Sequence, residues 1–238
     1  MNLEFDKFVK SFDMNDDNIK RKYNHSYRVK KLCETLTKDK KKKKISSVIG
    51  LLHDYGRFYQ WTKYKTFKDK KSIDHADYAV KELFDNNQIE KFYHGKKYYK
   101  VISEAIKYHN KYLVPDDVED KIMCEMIRDA DKLDILYMYT IGELVLSEEG
   151  NISKKVKNEF FKHNMLKHEY VNTEIDVSIN VLSLVYDLNI NESFKYLKDN
   201  KIMDKIYEKI KNKEIFKDYI KEVKKFIDEK QREEDEAC

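Results

Sequence analysis

His25, His53, His75, His109 and Asp131 each interrupt an otherwise apolar helical stripe, and Asp54 directly follows His53. A carboxylate buried without a partner costs on the order of several kcal/mol or is forced to stay protonated, so an aspartate inside a core stripe needs a cation or strong donors. A divalent metal ion meets that need. Neutral imidazoles and carboxylates suit Mn, Fe, Co, Ni or Zn, and the absence of thiolates at ligand spacing argues against a cysteine-type structural zinc site. Taken singly, each residue has a plainer reading: a lone histidine on an apolar face is more often a hydrogen-bonded core group than a ligand, and a His-Asp dipeptide arises by chance. Five non-contiguous residues on inward stripes are poorly explained that way. Together they point to a divalent metal site.

These residues have to be brought together by helices. The spacing of His25, Val29, Leu32 and Leu36 predicts a helix from an Asp16 or Asp17 cap to about Thr37. Ile45, Val48, Ile49 and Leu52 predict a second one running to Asp54, with Gly56 as a candidate C-cap. Residues 57–71 show no clean period and are expected to form an ordered, aromatic, Lys-rich surface loop of functional length. Ser72 or Asp74 can cap a helix to about Phe84 carrying His75, and a further helix from about Tyr98 carries His109. The single Pro115, followed by Asp116 and Asp117, is expected to open a long helix to about Leu146, bent at Gly142, with Asp131 on its apolar face. Asp134, one turn on, could fix the tautomer of a ligand histidine, whereas Asp129 suggests a surface or arginine contact. Past a break at Glu149-Gly150-Asn151, helices are expected over 153–166, 173–187, 192–210 and 213–231, before a fraying charged tail. His94, His163 and His168 lie in polar surroundings and are expected to be solvent-exposed.

Composition sets the frame for these helices. A chain of 238 residues can bury a core without disulfide or metal staples, and one proline with five glycines leaves little turn chemistry for a β fold. The fold class is therefore all-α, with residues 1–150 as the site-bearing core and 151–238 as a helical extension packing on it in one compact domain. The 48 Lys and Arg against 44 Asp and Glu give a net charge of only +4, which names neither nucleic acid nor membrane as a partner. The Lys40 to Lys44 run reads as a solvated connection, since no aromatic residue interleaves it. Cys33, Cys124 and Cys238 form no CxxC pair, and with no apolar leader or long apolar stretch the protein is expected to be soluble and cytoplasmic.

His25, then His53-Asp54 in LLHDYGR, then Asp131 in RDADKLD resemble the HD superfamily of metal-dependent phosphohydrolases, over about residues 16 to 140. The stretch GRFYQWTKYKTFKDKKSIDHADYAV is also similar to one bacterial branch of that superfamily. The resemblance implies an HD-domain helical bundle in which His25, His53, Asp54 and Asp131 hold one metal ion. Members with two more histidines before the last aspartate bind a second ion, bridged by the aspartate of the pair. His75 and His109 occupy those places in order; in single-metal members such histidines serve the substrate instead. The cofactor is thus one or two divalent ions, with Mg open alongside the transition metals.

Such ions lower the pKa of bound water toward neutrality and clamp the oxygens of an in-line displacement at phosphorus. The expected activity is hydrolysis of a phosphate ester or anhydride bond in a nucleotide or related small phosphorylated molecule. Asp54 stands at its centre, Arg57 is the first candidate for phosphate because of its planar fork, and Lys65 and Lys111 are weaker ones. Trp61, Tyr64 and Phe67 could stack a base or pack the loop, with packing preferred. Two alternatives stay open: a mixed-valent di-iron oxygenase with the same six-residue arrangement, and a catalytically inactive nucleotide-binding module.

Overall fold

Phe5 and Val9 anchor the short helix α1 (Asn2–Val9), and Asp16 then caps α2 (Asp17–Leu36) by accepting the amide of Asn18 at 2.8 Å. The computed structural model describes residues 1–237, among which there are helices and turns but no strand, as an all-α reading requires. Cys238 lies outside the described residues. Apolar periodicity alone does not announce α1. Aromatic packing holds it: Phe8 stacks on Tyr55 at 3.9 Å, and Phe5 meets Tyr27 and Phe58 edge-on.

Next come α3 (Lys43–Leu52), α4 (Tyr55–Tyr64), α5 (His75–Val80) and α6 (Tyr99–Tyr108). α2 lies against α3, α4 against α5, and α6 against both α3 and α5. Gly50 permits the first of these contacts, since a Cβ there would come within 2.8 Å of the Lys30 backbone and the Cys33 sulfur.

Two expectations fail in this stretch. Residues 57–71 are not one loop, because α4 occupies Tyr55–Tyr64 and only the remainder is irregular, with a 3₁₀ turn at Asp69–Lys71. The buried face of α4 is made by Tyr55, Gly56, Phe58 and Gln60, a set without an aliphatic stripe to betray the period. Gly56 is consequently the second residue of α4 rather than the end of α3, and the chain turns at His53-Asp54 instead. Lys65, at φ 51°, ends α4.

α5 is capped by Asp74, which accepts the amides of Ala76 and Asp77, and it gives way to a π turn at Lys81–Asp85. Helix α7 (Lys121–Ile141) does not open at Pro115. Asp116 pairs with Lys121 at 2.7 Å, and Asp120 accepts the Met123 amide at 3.3 Å, so the acidic segment caps the helix from outside it. Gly142 terminates α7 with φ +80° rather than bending it.

The chain divides into two compact units inside α7, between Asp131 and Lys132, instead of at the Gly150 break. The second unit holds α8 (Lys154–Phe160), α9 (Glu174–Ser183), α10 (Asn191–Asp199), α11 (Ile202–Lys209) and α12 (Lys213–Ala237). α12 packs on α9, α10 and α11. Thr173 and Asp176 form a capping box on α9, and Lys201 at φ 52° splits the helix expected over 192–210 into two. α12 continues as helix to Ala237, where the tail is expected to fray. His94 and His168 are exposed, but His163 is not free: it is half-buried, 2.9 Å from Glu222 and against Tyr186 and Phe226. Among the described residues no helix is long and apolar enough to cross a membrane. Cys33 and Cys124 are buried free thiols, and burial pushes Cys124 up to about 12.

Candidate metal centre

All six residues singled out by type and spacing converge within the first unit. His25 comes from the middle of α2, His53 and Asp54 from the turn between α3 and α4, His75 from the first residue of α5, His109 from just past α6, and Asp131 from α7. The rings are arranged as two pairs: His25 and His53 approach to 3.2 Å between Nε2 atoms, and His75 and His109 to 3.0 Å. Asp54 lies between the pairs and turns one oxygen to each. Its Oδ2 is 3.5 Å from His25 and 3.7 Å from His53, whereas its Oδ1 is 3.3 Å from His75 and 3.7 Å from His109. Asp131 Oδ1 completes the first group, 3.1 Å from His25 Nε2 and 3.7 Å from His53 Nε2. His25, His53, Asp54, His75 and His109 are buried, and Asp131 is partly open to solvent.

The outer nitrogens decide what the inner ones can do. His53 Nδ1 lies 2.8 Å from the Gly50 carbonyl and His109 Nδ1 2.6 Å from the Ile106 carbonyl, in both cases three residues back at the end of a helix. A carbonyl can only accept, so each Nδ1 carries the proton and each neutral Nε2 presents a lone pair inward. The unpaired carbonyls of a helix C-terminus thus orient both rings. His75 Nδ1 likewise donates to the Asp69 carboxylate at 2.9 Å. Lone pairs facing each other at such distances need a cation between them, either a proton or a metal ion. Clusters His25–His53–Asp131 and His53–Asp54–His109 each place one ligand atom per residue within 4.8 Å of the others, so the donor set fits a divalent ion.

Residues 23–136 match the family model of the HD domain. That stretch is an HD domain. HD domains are of metal-dependent hydrolase type and typically bind divalent ions, and the matched stretch contains all six convergent residues. Neither a curated protein nor a solved structure matches the chain.

Around the HD-domain cluster, several residues play parts that spacing does not reveal. Asp69 is a hub: its carboxylate accepts from His75 Nδ1, from Arg57 Nη1 at 2.8 Å, from Gln60 at 2.8 Å and from Asn110 at 3.1 Å. No rule of spacing marks it within FKDKKSIDH. Arg57, the first phosphate candidate, is adjacent to the cluster but already engaged, with Nη1 donating to Gln60, the Phe67 carbonyl and Asp69. Its Nε lies 3.5 Å from Asp54 Oδ1. The geometry gives Arg57 a positioning task.

Lys65 is largely exposed, 3.8 Å from Asp16 and over the Trp61 ring, and none of these contacts reaches the cluster. Lys111 is held by Asp74 and Asp77. Trp61 donates to Asp16 and stacks on Phe67 at 4.9 Å, while Tyr64 is exposed. Asp129 is fully buried, not on the surface, because α7 from Met123 to Ala130 is enclosed on almost every side. Arg128 donates to the carbonyls of Tyr108, Lys111 and Tyr112 and so fixes the backbone around His109.

Replacing Asp69 by Ala should weaken divalent-metal binding roughly 10- to 100-fold, the usual effect of removing the partner that orients a ligand histidine. Titration of the chelator-treated variant with Mn measures this, and wild-type affinity would show that His75 needs no such support.

Electrostatics keep the cluster in the ligand-competent state. Burial works against the Asp54 charge, yet Lys22 at 2.6 Å and the surrounding histidines outweigh it and hold the carboxyl well below the usual range. Burial likewise opposes the Asp131 charge, and His25 and His53 overcome it. His109 is pushed from 6.5 down to about 4, first by burial and then by the neighbouring histidines. Its folded value is therefore depressed, so the unfolded chain binds the extra proton between those limits and stability falls as pH drops through that window. In the metal-free protein the loss should be about 3 kcal/mol. The aspartates contribute only below 3.8, their ordinary value. Urea unfolding from pH 7 to 4 should show this slope in wild type and a flatter one in His109→Gln; identical slopes would exclude His109 as the source.

Proposed function

We propose that the protein is a metal-dependent phosphohydrolase acting on an ester or anhydride bond of a nucleotide or related small phosphorylated molecule. One observation carries the reading: Asp54 turns one oxygen to the His25–His53 pair, with Asp131 beside it, and the other to the His75–His109 pair. His25, His53 and Asp131 on one side and His75 and His109 on the other would, with Asp54, hold one divalent ion or two. Such ions would supply an activated water and charge neutralisation at phosphorus.

The chain's own residues provide the rest. Asp69 and the helix-end carbonyls of Gly50 and Ile106 hold the rings in register, Arg57 ties Asp69 to the start of α4, and His25, His53, Asp54, His75 and His109 are all buried. Phe67, half-buried and stacked on Trp61, has its ring 5.4 Å from Lys22 Nζ and 5.9 Å from the Arg57 guanidinium. An aromatic face beside cations at the cluster supports a nucleotide over a simpler phosphate ester.

Elemental analysis of the purified protein, with a panel of nitrophenyl phosphates and nucleotides assayed with Mn, Mg, Fe and Co, tests the reading. Bound transition metal and released phosphate are expected. No phosphate release with any of the metals would overturn it, and iron with oxygen-dependent turnover would support the di-iron oxygenase instead.

A further inference from the structure

Lys22 is the cation that touches the cluster most directly. Its Nζ lies 2.6 Å from Asp54 Oδ2, the oxygen that faces His25 and His53. It stands three residues before His25, on the same face of α2 one turn back, so both side chains reach the same place. The Lys22 side chain is 19% exposed against 4% for Asp54, which puts the ammonium at the boundary between the buried ligands and solvent. Of the other cations nearby, Arg57 gives Nη1 to Gln60, Phe67 and Asp69 and keeps its Nε inside beside Asp54 Oδ1, Lys111 is held by Asp74 and Asp77, and Lys65 is largely exposed beside Asp16.

An ammonium on Asp54 Oδ2 and a divalent ion on the same carboxylate repel each other strongly in a partly dehydrated site. Two cations at such separation are stabilised by an anion that both can touch, and the four-carbon stem of a lysine at the solvent edge can make that move. The Phe67 ring over the ammonium lines the same edge.

We propose that Lys22 is the phosphoryl-binding cation of this site, pairing with Asp54 in the metal-free protein and with the anionic group of the substrate once the carboxylate holds metal. The inference rests on the metal-dependent phosphohydrolase reading.

The test uses the full chain, with Mn alone and then inorganic phosphate as probes. Lys22→Met should bind Mn at least as tightly as wild type, because a competitor for Asp54 is gone. It should bind phosphate in the Mn-loaded form roughly 10- to 100-fold more weakly, the worth of one charge-assisted hydrogen bond, with Lys22→Arg restoring most of the loss. Peptide-level amine labelling of wild type gives a second measurement that does not depend on a variant folding. Mn should raise the reactivity of Lys22, and added phosphate should lower it again.

Loss of Mn binding in Lys22→Met would make the residue a structural support for Asp54 and overturn the proposal. Unchanged phosphate affinity, or labelling indifferent to phosphate, would overturn it equally while leaving the phosphohydrolase reading intact. If wild type takes up no Mn, that reading falls and the role of Lys22 falls with it.

Discussion

Asp54→Ala should leave a folded protein that retains no divalent metal and has lost turnover by more than about 100-fold. The magnitude follows from position: removing a residue that merely orients a ligand costs 10- to 100-fold, and Asp54 faces both histidine pairs directly. Asp131 Oδ1 is placed against His25 and His53, and Asp69 meets His75 at its outer nitrogen, so neither stands in the place of Asp54 between the pairs. The variant also removes the anion opposite Lys22 and the Arg57 Nε, so Asp54→Asn, which keeps the side-chain volume, should be compared. Circular dichroism establishes folding, elemental analysis after gel filtration establishes metal content, and phosphate release in added Mn establishes turnover. Full metal content with wild-type turnover in a folded Asp54→Ala protein would sink the assignment of this cluster as the active centre.

The six residues that converge were legible because a polar residue on an apolar stripe is an anomaly that sequence displays. His25 and Asp131 lie within helices whose periodicity is plain, and His53 and His109 follow directly on such helices. The residues that support them left no comparable mark. Asp69 acts from an irregular segment through contacts six and more residues away, and Gln60 is a buried amide on a helix whose inner face is aromatic. Periodicity scores aliphatic repetition, so α4 and α1, both held by rings, pass beneath it. Lys22 stands one turn before His25, but in a chain with 48 basic residues a lysine carries little information until its partner is known. Arg57 shows the converse: its type and place suited phosphate, and only the structure reveals that Asp69 and the Phe67 carbonyl already hold it.

Gly56→Ala should cost about 3 kcal/mol of stability and displace His75 at the same time. A Cβ on Gly56 would lie 2.1 Å from the His75 carbonyl oxygen, 3.0 Å from its carbonyl carbon and 3.2 Å from its Cα. All three obstacles are backbone, so no side chain can rotate away and α4 must separate from α5. Overpacking of this kind typically costs about 1 to 3 kcal/mol, and a rigid obstacle places it at the upper end. For a chain of this size that corresponds to a fall in Tm of roughly 6 to 12 °C. Because His75 is the first residue of α5, with its ring between Asp69 and Asp54, the same shift should loosen the His75–His109 pair and weaken metal binding. Gly142→Ala is the control: it has open space around the added Cβ and only its φ of +80° to oppose it, so about 1 kcal/mol is expected. Thermal unfolding of both variants with and without Mn separates the two effects. A Gly56→Ala protein that melts with wild type and keeps its Mn affinity would mean that the close approach of α4 to His75 does not set the position of the ring.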